Sequence, residues 1–315
     1  MKRALPLALS AFLLSCASAP QVEYPDLDLA TPANWTASTP AGGIADDWWR
    51  DLGTTRLDSL ITQALAQNYD LKGTATRLAQ AQAQAIAAGA PLLPQLSGSG
   101  NGSKRKQNFV GFPIPGSAGQ VLSSTSTSYG VNLNLSWEVD LWGRLRAGTQ
   151  AAIADAQAAE ADWAGARLSL AAQTARAYFA AVEAGRQVEL AHATVENYRV
   201  STEQIQRRYR RGLRSSLDLR LGRSSLAAAQ ATLEQRRQQQ DISLRQLELL
   251  LGRYPSASIV VGSELPAVNG AVPAGLPADL IARRPDLIAA ERRLAAADRR
   301  HRRFWWWDPP KLLSA

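Results

Sequence analysis

The hydrophobic pattern changes period at one place in this chain. From Ser128 to Trp142 large apolar residues alternate with small or polar ones, with Tyr129, Val131, Leu133, Leu135 and Trp137 on one face and Ser128, Gly130, Asn132, Asn134 and Ser136 on the other. A period of two predicts a strand, and about nine residues is the length at which a tilted strand crosses a bilayer. A half-buried strand of a soluble sandwich has the same pattern, so this element alone leaves both readings open. Past Gly143 the spacing becomes three and four, through Trp163, Ala166, Leu170, Thr174, Ala177, Ala181, Ala184, Val188, Ala191, Val195, Tyr198, Thr202, Ile205 and Tyr209. That seam predicts a coiled-coil helix over 143–211, on the order of 100 Å long. An alanine-rich seam buries little area per residue, so such a helix depends on neighbours along its length. Residues 212–218 supply a tight turn. Ser215 or Ser216 caps a return helix over 216–251, in which Leu219, Leu226, Leu233 and Leu247 recur at heptad multiples.

Upstream, apolar positions from Leu57 through Leu60, Ile61, Ala64, Leu65, Leu71, Leu78 and Ala85 predict one helix, ended by Gly89 and Pro91. Pro94–Gln107 is a weakly patterned first strand, which makes a hairpin of about 94–137 with its tip at Asn108–Thr127. Asp46–Leu52 reads as a short amphipathic element that packs onto a neighbour. Asn68-Tyr69-Asp70-Leu71, with Leu78-Ala79 behind it, returns as Arg284-Pro285-Asp286-Leu287 with Leu294-Ala295 behind. Such repetition predicts a modular chain, with a first unit at 57–252, a linker at 253–275 and the start of a second unit at 276–315.

No apolar run is long enough for a spanning helix, so any membrane crossing falls to strands. Lys2 and Arg3 precede an apolar run to Leu14, which predicts a signal peptide over 1–15. Leu13-Leu14-Ser15-Cys16 resembles the bacterial lipobox. Cys16 is the one cysteine among 315 residues, which excludes an intramolecular disulfide and leaves lipid attachment or a chance cysteine of the leader. Residues 16–56 then form an extended, lipid-anchored lead. The net charge of +8 raises nucleic acid as a partner, but no aromatic platform is interleaved with the arginines of 207–223 and 283–303, and a signal peptide conflicts with it. His192 and His301 are too far apart to argue a metal site. No nucleophile with its base and no phosphate-cradling loop is present, so neither enzyme activity nor a cofactor is expected.

Four segments together resemble the outer-membrane factor channels of tripartite efflux pumps, the TolC and OprM type, in their lipoprotein, NodT-like branch. They are Asp47 to Gly53, Trp137-Glu138-Val139-Asp140-Leu141-Trp142-Gly143-Arg144, Tyr209 with Gly212 through Asp218, and Leu276 through Asp286. The second is the most specific. The resemblance implies a mainly α fold with a transmembrane β-hairpin, in which a homotrimer builds a long α-helical coiled-coil barrel and a β-barrel of four strands per protomer. It implies export of drugs, dyes, peptides or metal ions, together with a periplasmic adaptor protein and an inner-membrane RND-type transporter. Gly212, Leu213, Ser216 and Leu217 match the tip that docks the adaptor. Tyr129, Val131, Leu133, Leu135 and Trp137 would face lipid, and Asn132, Asn134 and Ser136 the lumen. Ala17 after Cys16 fits sorting to the outer membrane.

The chain departs from the family after Asp298, where Arg299 to Arg303 and three tryptophans replace the expected Phe-Pro and two further strands. The tail reads as a shifted reading frame or as an interfacial anchor. On the first reading the chain is a truncated and non-functional copy, since two strands from each of three protomers fall short of the eight in the smallest usual barrels. The rival to a channel is a lipid-anchored periplasmic coiled-coil scaffold or adaptor without a pore.

Overall fold

The computed structural model describes residues 45, 47–52, 54–109, 122–265 and 281–305. Cys16 and its leader, the hairpin apex at 110–121, residues 266–280 with the end of the expected linker, and the residues after Trp305 lie outside them. Two compact units emerge, one of Ala83–Ile153 with the residues from Ala295, the other of the described residues up to Gln82 with Ala154–Leu294.

In the second unit, two helices stand where one was expected. They are α1 (Thr55–Gln67) and α2 (Tyr69–Gly89), whose C-terminal end continues into the first unit. Asn68 divides them, because its ψ of 130° leaves the helical region. Its Oδ1 accepts from the Leu71 amide at 3.0 Å, which caps α2, and its Nδ2 donates to the Leu250 carbonyl at 3.0 Å. Apolar periodicity runs through this break unchanged, and so conceals it. The repeat at Arg284 uses the same device: a helical stretch at 281–283, an interruption, then α5 (Pro285–Trp305). Pro285 opens that helix at the position where a missing amide costs nothing.

The long helix α3 (Arg144–Arg210) has 67 residues, and α4 (Ser216–Leu250) returns along it. Thr202 donates to the Gly222 carbonyl at 3.1 Å, and a Cβ on Gly222 would come within 3.3 Å of Ile205. The helices thus touch backbone to side chain, as small seam residues permit. The core of this unit joins Leu57, Leu60, Ile61, Ala64 and Leu71 to Leu170, Ala171, Ala175, Tyr178 and Val182 of α3, and to Leu247, Leu251 and Ile259. Of the predicted seam, Leu170, Thr174, Ala181, Ala184 and Thr202 are buried, whereas Tyr198 and Tyr209 are exposed. The amphipathic element forms a single 3-10 turn, Trp48–Leu52, and its neighbour is α1 of the same chain. Trp49 is buried there and its Nε1 donates to Asp58 at 2.9 Å.

The first unit holds the hairpin, β1 (Gln95–Phe109) antiparallel to β2 (Leu122–Ser136), in continuous register from Gln95 opposite Ser136 to Phe109 opposite Leu122. β2 therefore begins before its apolar alternation does. Ser123–Thr127 was expected in the tip and is paired strand, because ladder hydrogen bonds do not require either face to be apolar. Among the described residues no helix is long and apolar enough to cross a membrane.

Candidate functional site

Residues opposite one another in an antiparallel pair share a face, so the register assigns both faces of the hairpin. One face carries Leu135, Leu133, Val131 and Tyr129 of β2, opposite Leu96, Gly98, Gly100 and Gly102 of β1. The large side chains of β2 lie over the glycines, so that a Cβ on Gly102 would come within 3.3 Å of the Tyr129 ring and one on Gly98 within 3.5 Å of Leu133. Glycine here makes room for the partner strand's side chains, a pairing also used to shield glycines in strands. The other face carries no large apolar side chain over this stretch, with Ser97, Ser99, Asn101 and Ser103 opposite Asn134, Asn132, Gly130 and Ser128. Tyr129, Val131, Leu133 and Leu135 are between 67% and 85% exposed. An apolar face that wide, uncovered by its own chain, requires an apolar medium or a partner. Trp137 lies just past β2, 59% exposed, with its Nε1 donating to the Leu92 carbonyl at 3.2 Å.

Strand turns into helix at Trp137–Arg144, and the geometry accounts for the motif. Gly143 sits at φ +78, where a side chain is strained, so the residue next to the helix has nothing to cap it with. Asp140 reaches in instead and accepts from the amides of Leu145 at 3.1 Å and Arg146 at 2.9 Å, while the Arg146 guanidinium donates to the same carboxylate at 3.2 Å. Burial opposes the charge of Asp140, but the Arg146 and Leu145 amides and the Arg146 guanidinium outweigh it and hold the carboxyl below its ordinary value. Glu138 and Arg144 close the elbow with a forked ion pair at 2.6 and 2.7 Å. Thr149 then donates to the Ala88 carbonyl at 2.9 Å, tying α3 to the end of α2. Asp140→Ala should cost about 1–2 kcal/mol of helix stability, and Asp140→Asn less, as read by hydrogen exchange of the Leu145 and Arg146 amides.

At the far end of α3, the Gly212 amide donates to Tyr209 O and the Leu213 amide to Arg208 O, both at 2.9 Å, with Gly212 at φ +76. That is a Schellman stop, and glycine serves it because of its backbone freedom. Ser215, rather than Ser216, caps α4: its hydroxyl accepts from the Asp218 amide at 3.1 Å and its amide donates to the Asp218 carboxylate at 3.2 Å. Ser216 is the first helical residue. Leu213 and Leu217 are left 69% and 63% exposed, large apolar side chains on a rigid polar turn.

A family model described as outer membrane efflux protein matches residues 60–253, more than half of the chain. The chain belongs to the outer membrane efflux protein family. Membership places it among outer-membrane proteins. The pyoverdine export outer membrane protein OpmQ of Pseudomonas putida is 32% identical over 301 residues, 92% of this chain and 61% of that protein. The outer membrane protein OprJ of Pseudomonas aeruginosa is 31% identical over 92% of this chain and 60% of its own length. Among solved structures, the outer-membrane channel OprN superposes with a TM-score of 0.73 at 29% identity, covering 90% of this chain and 63% of that one. The chain thus spans about three-fifths of the length of the curated relatives it matches. A mainly helical fold with a small sheet, as in these outer-membrane channels, is the expected architecture.

One buried acid of this efflux-family chain escaped the sequence reading. Glu248, in the last turn of α4, is 2% exposed. Its carboxylate accepts from the amides of Ala257 at 2.6 Å, Ser258 at 2.8 Å and Ile259 at 3.0 Å. It folds the start of the expected linker back onto the helix and seats Ile259 in the core. Among the described residues no group of acidic, histidine or cysteine side chains is arranged to hold a metal.

Proposed function

We propose that this chain is a channel subunit of a tripartite efflux pump, which passes small molecules from the periplasm across the outer membrane. The observation that carries the reading is the direct succession in one chain of a hairpin with an exposed apolar face, the Asp140 elbow and a 67-residue helix. Tyr129, Val131, Leu133, Leu135 and Trp137 face lipid in this reading, and Asn132, Asn134 and Ser136 face the lumen. Lipid solvates no backbone, so the strand edges have to pair with those of other copies or other strands, and a homotrimer is the assembly that the family resemblance implies. Cys16 carries the lipid that holds the chain to the membrane. The turn at Gly212, Leu213, Ser216 and Leu217 docks the periplasmic adaptor, which links it to an RND-type transporter of the inner membrane.

Expression of the chain in a strain lacking its own outer-membrane efflux channel tests the proposal. Restored dye efflux, with a heat-modifiable and protease-resistant species in outer-membrane extracts, is the expected result. An anchored chain with neither property would overturn the proposal in favour of a truncated, non-functional copy or a periplasmic scaffold without a pore. Leu213→Asp with Leu217→Asp should lower adaptor cross-linking about tenfold or more, since each would bury an unpaired carboxylate where the partner covers an apolar side chain. Helix content should stay unchanged, because neither side chain is buried.

A further inference from the structure

The hairpin's apolar face does not end at Tyr129. Lys104 stands opposite Thr127 and Lys106 opposite Thr125 on that same face, whereas Arg105 stands opposite Ser126 on the polar one. Resting on the reading of this hairpin as membrane-spanning, we propose that Lys104 and Lys106 bind the phosphate groups of lipid A in the outer leaflet.

The spacing along the strand supports the assignment. From Trp137 to Tyr129 is about 27 Å along the strand at the usual rise per residue, or about 21 Å of height at a tilt of about 40°, enough to cover most of the roughly 25 Å apolar band of an outer-membrane barrel with an aromatic residue at each border. Lys104 lies about 7 Å beyond Tyr129 along the strand and Lys106 about 14 Å, which at a tilt of about 40° is about 5 and 10 Å of height and places both at the level of the phosphorylated headgroups. Long stems let both ammonium groups adjust to that level while their methylenes stay against the apolar face. No aspartate or glutamate occurs anywhere from Gln95 to Ser136, so the hairpin supplies no carboxylate to neutralise them. The neighbours on this face are the hydroxyls of Thr125 and Thr127, which add donors for phosphate oxygens. This end of the hairpin is the one away from the elbow and the helices, and on the proposed topology it meets the leaflet that holds lipid A.

The full chain would be reconstituted into phosphatidylethanolamine vesicles carrying bisphosphorylated lipid A, dephosphorylated lipid A, or phosphatidylglycerol at matched charge. Lipid retained on the extracted protein would be read by native mass spectrometry. The wild type should prefer bisphosphorylated lipid A. Lys104→Gln with Lys106→Gln should weaken that retention roughly 30-fold, from about fivefold per cation near an anionic surface, and Arg105→Gln should leave it unchanged. Equal retention by the double variant, or an equal loss in the arginine variant, would overturn the inference. Equal preference for phosphatidylglycerol would overturn lipid A as the ligand. A wild-type hairpin left open to protease in all vesicles would overturn the membrane-spanning reading itself, whereas one that is protected but indifferent to lipid A phosphate overturns only the headgroup site.

Discussion

Replacing Glu248 by alanine should lower the unfolding free energy of the full chain in detergent by about 3 kcal/mol, since each buried donor left without its acceptor costs roughly 1–3 kcal/mol and the loop can relax only in part. Three amides depend on this carboxylate, and Ala257 among them is held at φ +58, a conformation that alanine does not favour unaided. Glu248→Gln keeps one acceptor oxygen and should lose about half as much. The effect also has a pH signature. Burial alone would raise the carboxyl, but the Ala257, Ser258 and Ile259 amides outweigh it and hold the group below its ordinary 4.5. A depressed folded value means that the stabilisation is complete above the unfolded value and is lost as pH falls through the folded one. The difference between wild type and Glu248→Ala, followed by far-ultraviolet circular dichroism, should therefore be constant from pH 7 to about 5 and shrink below it. A gap that persisted unchanged at low pH would place the effect in packing around Leu247 and Leu251, not in the charge.

Glu248 was invisible in the sequence because its partners are backbone amides, which every residue carries. A carboxylate between Leu247 and Leu251 looks like any solvated helix position. The long helices were legible because their periodicity persists for many turns, and the tip because Gly212 and the capping box have residue-type signatures. Asp140 stands in the most specific motif of the chain, but its capping role is not legible there. A search for a cap finds Gly143 next to the helix, and only the fold shows the acid reaching in from three residues earlier. β1 seemed weakly patterned because its apolar face is Leu96, Gly98, Gly100 and Gly102. The alternation is present, but three of its four members have no side chain, and the area they would have covered is supplied by β2. Asn68 hid a helix break for the opposite reason, since the apolar positions on both sides remained in phase across it.

The strand face admits the most direct functional test. Leu133 lies midway between Trp137 and Tyr129, four residues from each, which on the membrane-spanning reading sets it near the bilayer midplane. Leu133→Arg should therefore cost about 2–4 kcal/mol in insertion, the range for arginine at the middle of a barrel's lipid face. In a homotrimer each protomer brings one such arginine, so the three penalties would fall on a single assembly. The amount of heat-modifiable protein in outer-membrane extracts should drop at least tenfold. Asn134→Arg, one residue along and on the polar face, should leave that amount close to wild type, because the side chain would enter a lumen that already presents hydroxyls and amides. A soluble sandwich or scaffold predicts something else. There the exposed Leu133 face would be covered by a protein partner and the polar face would meet water, so arginine at 133 would weaken that partner's grip without changing how the chain fractionates with membrane. The pair of variants thus decides between lipid and protein as the cover of the hairpin, and it does so through the two-residue period that first singled out this strand.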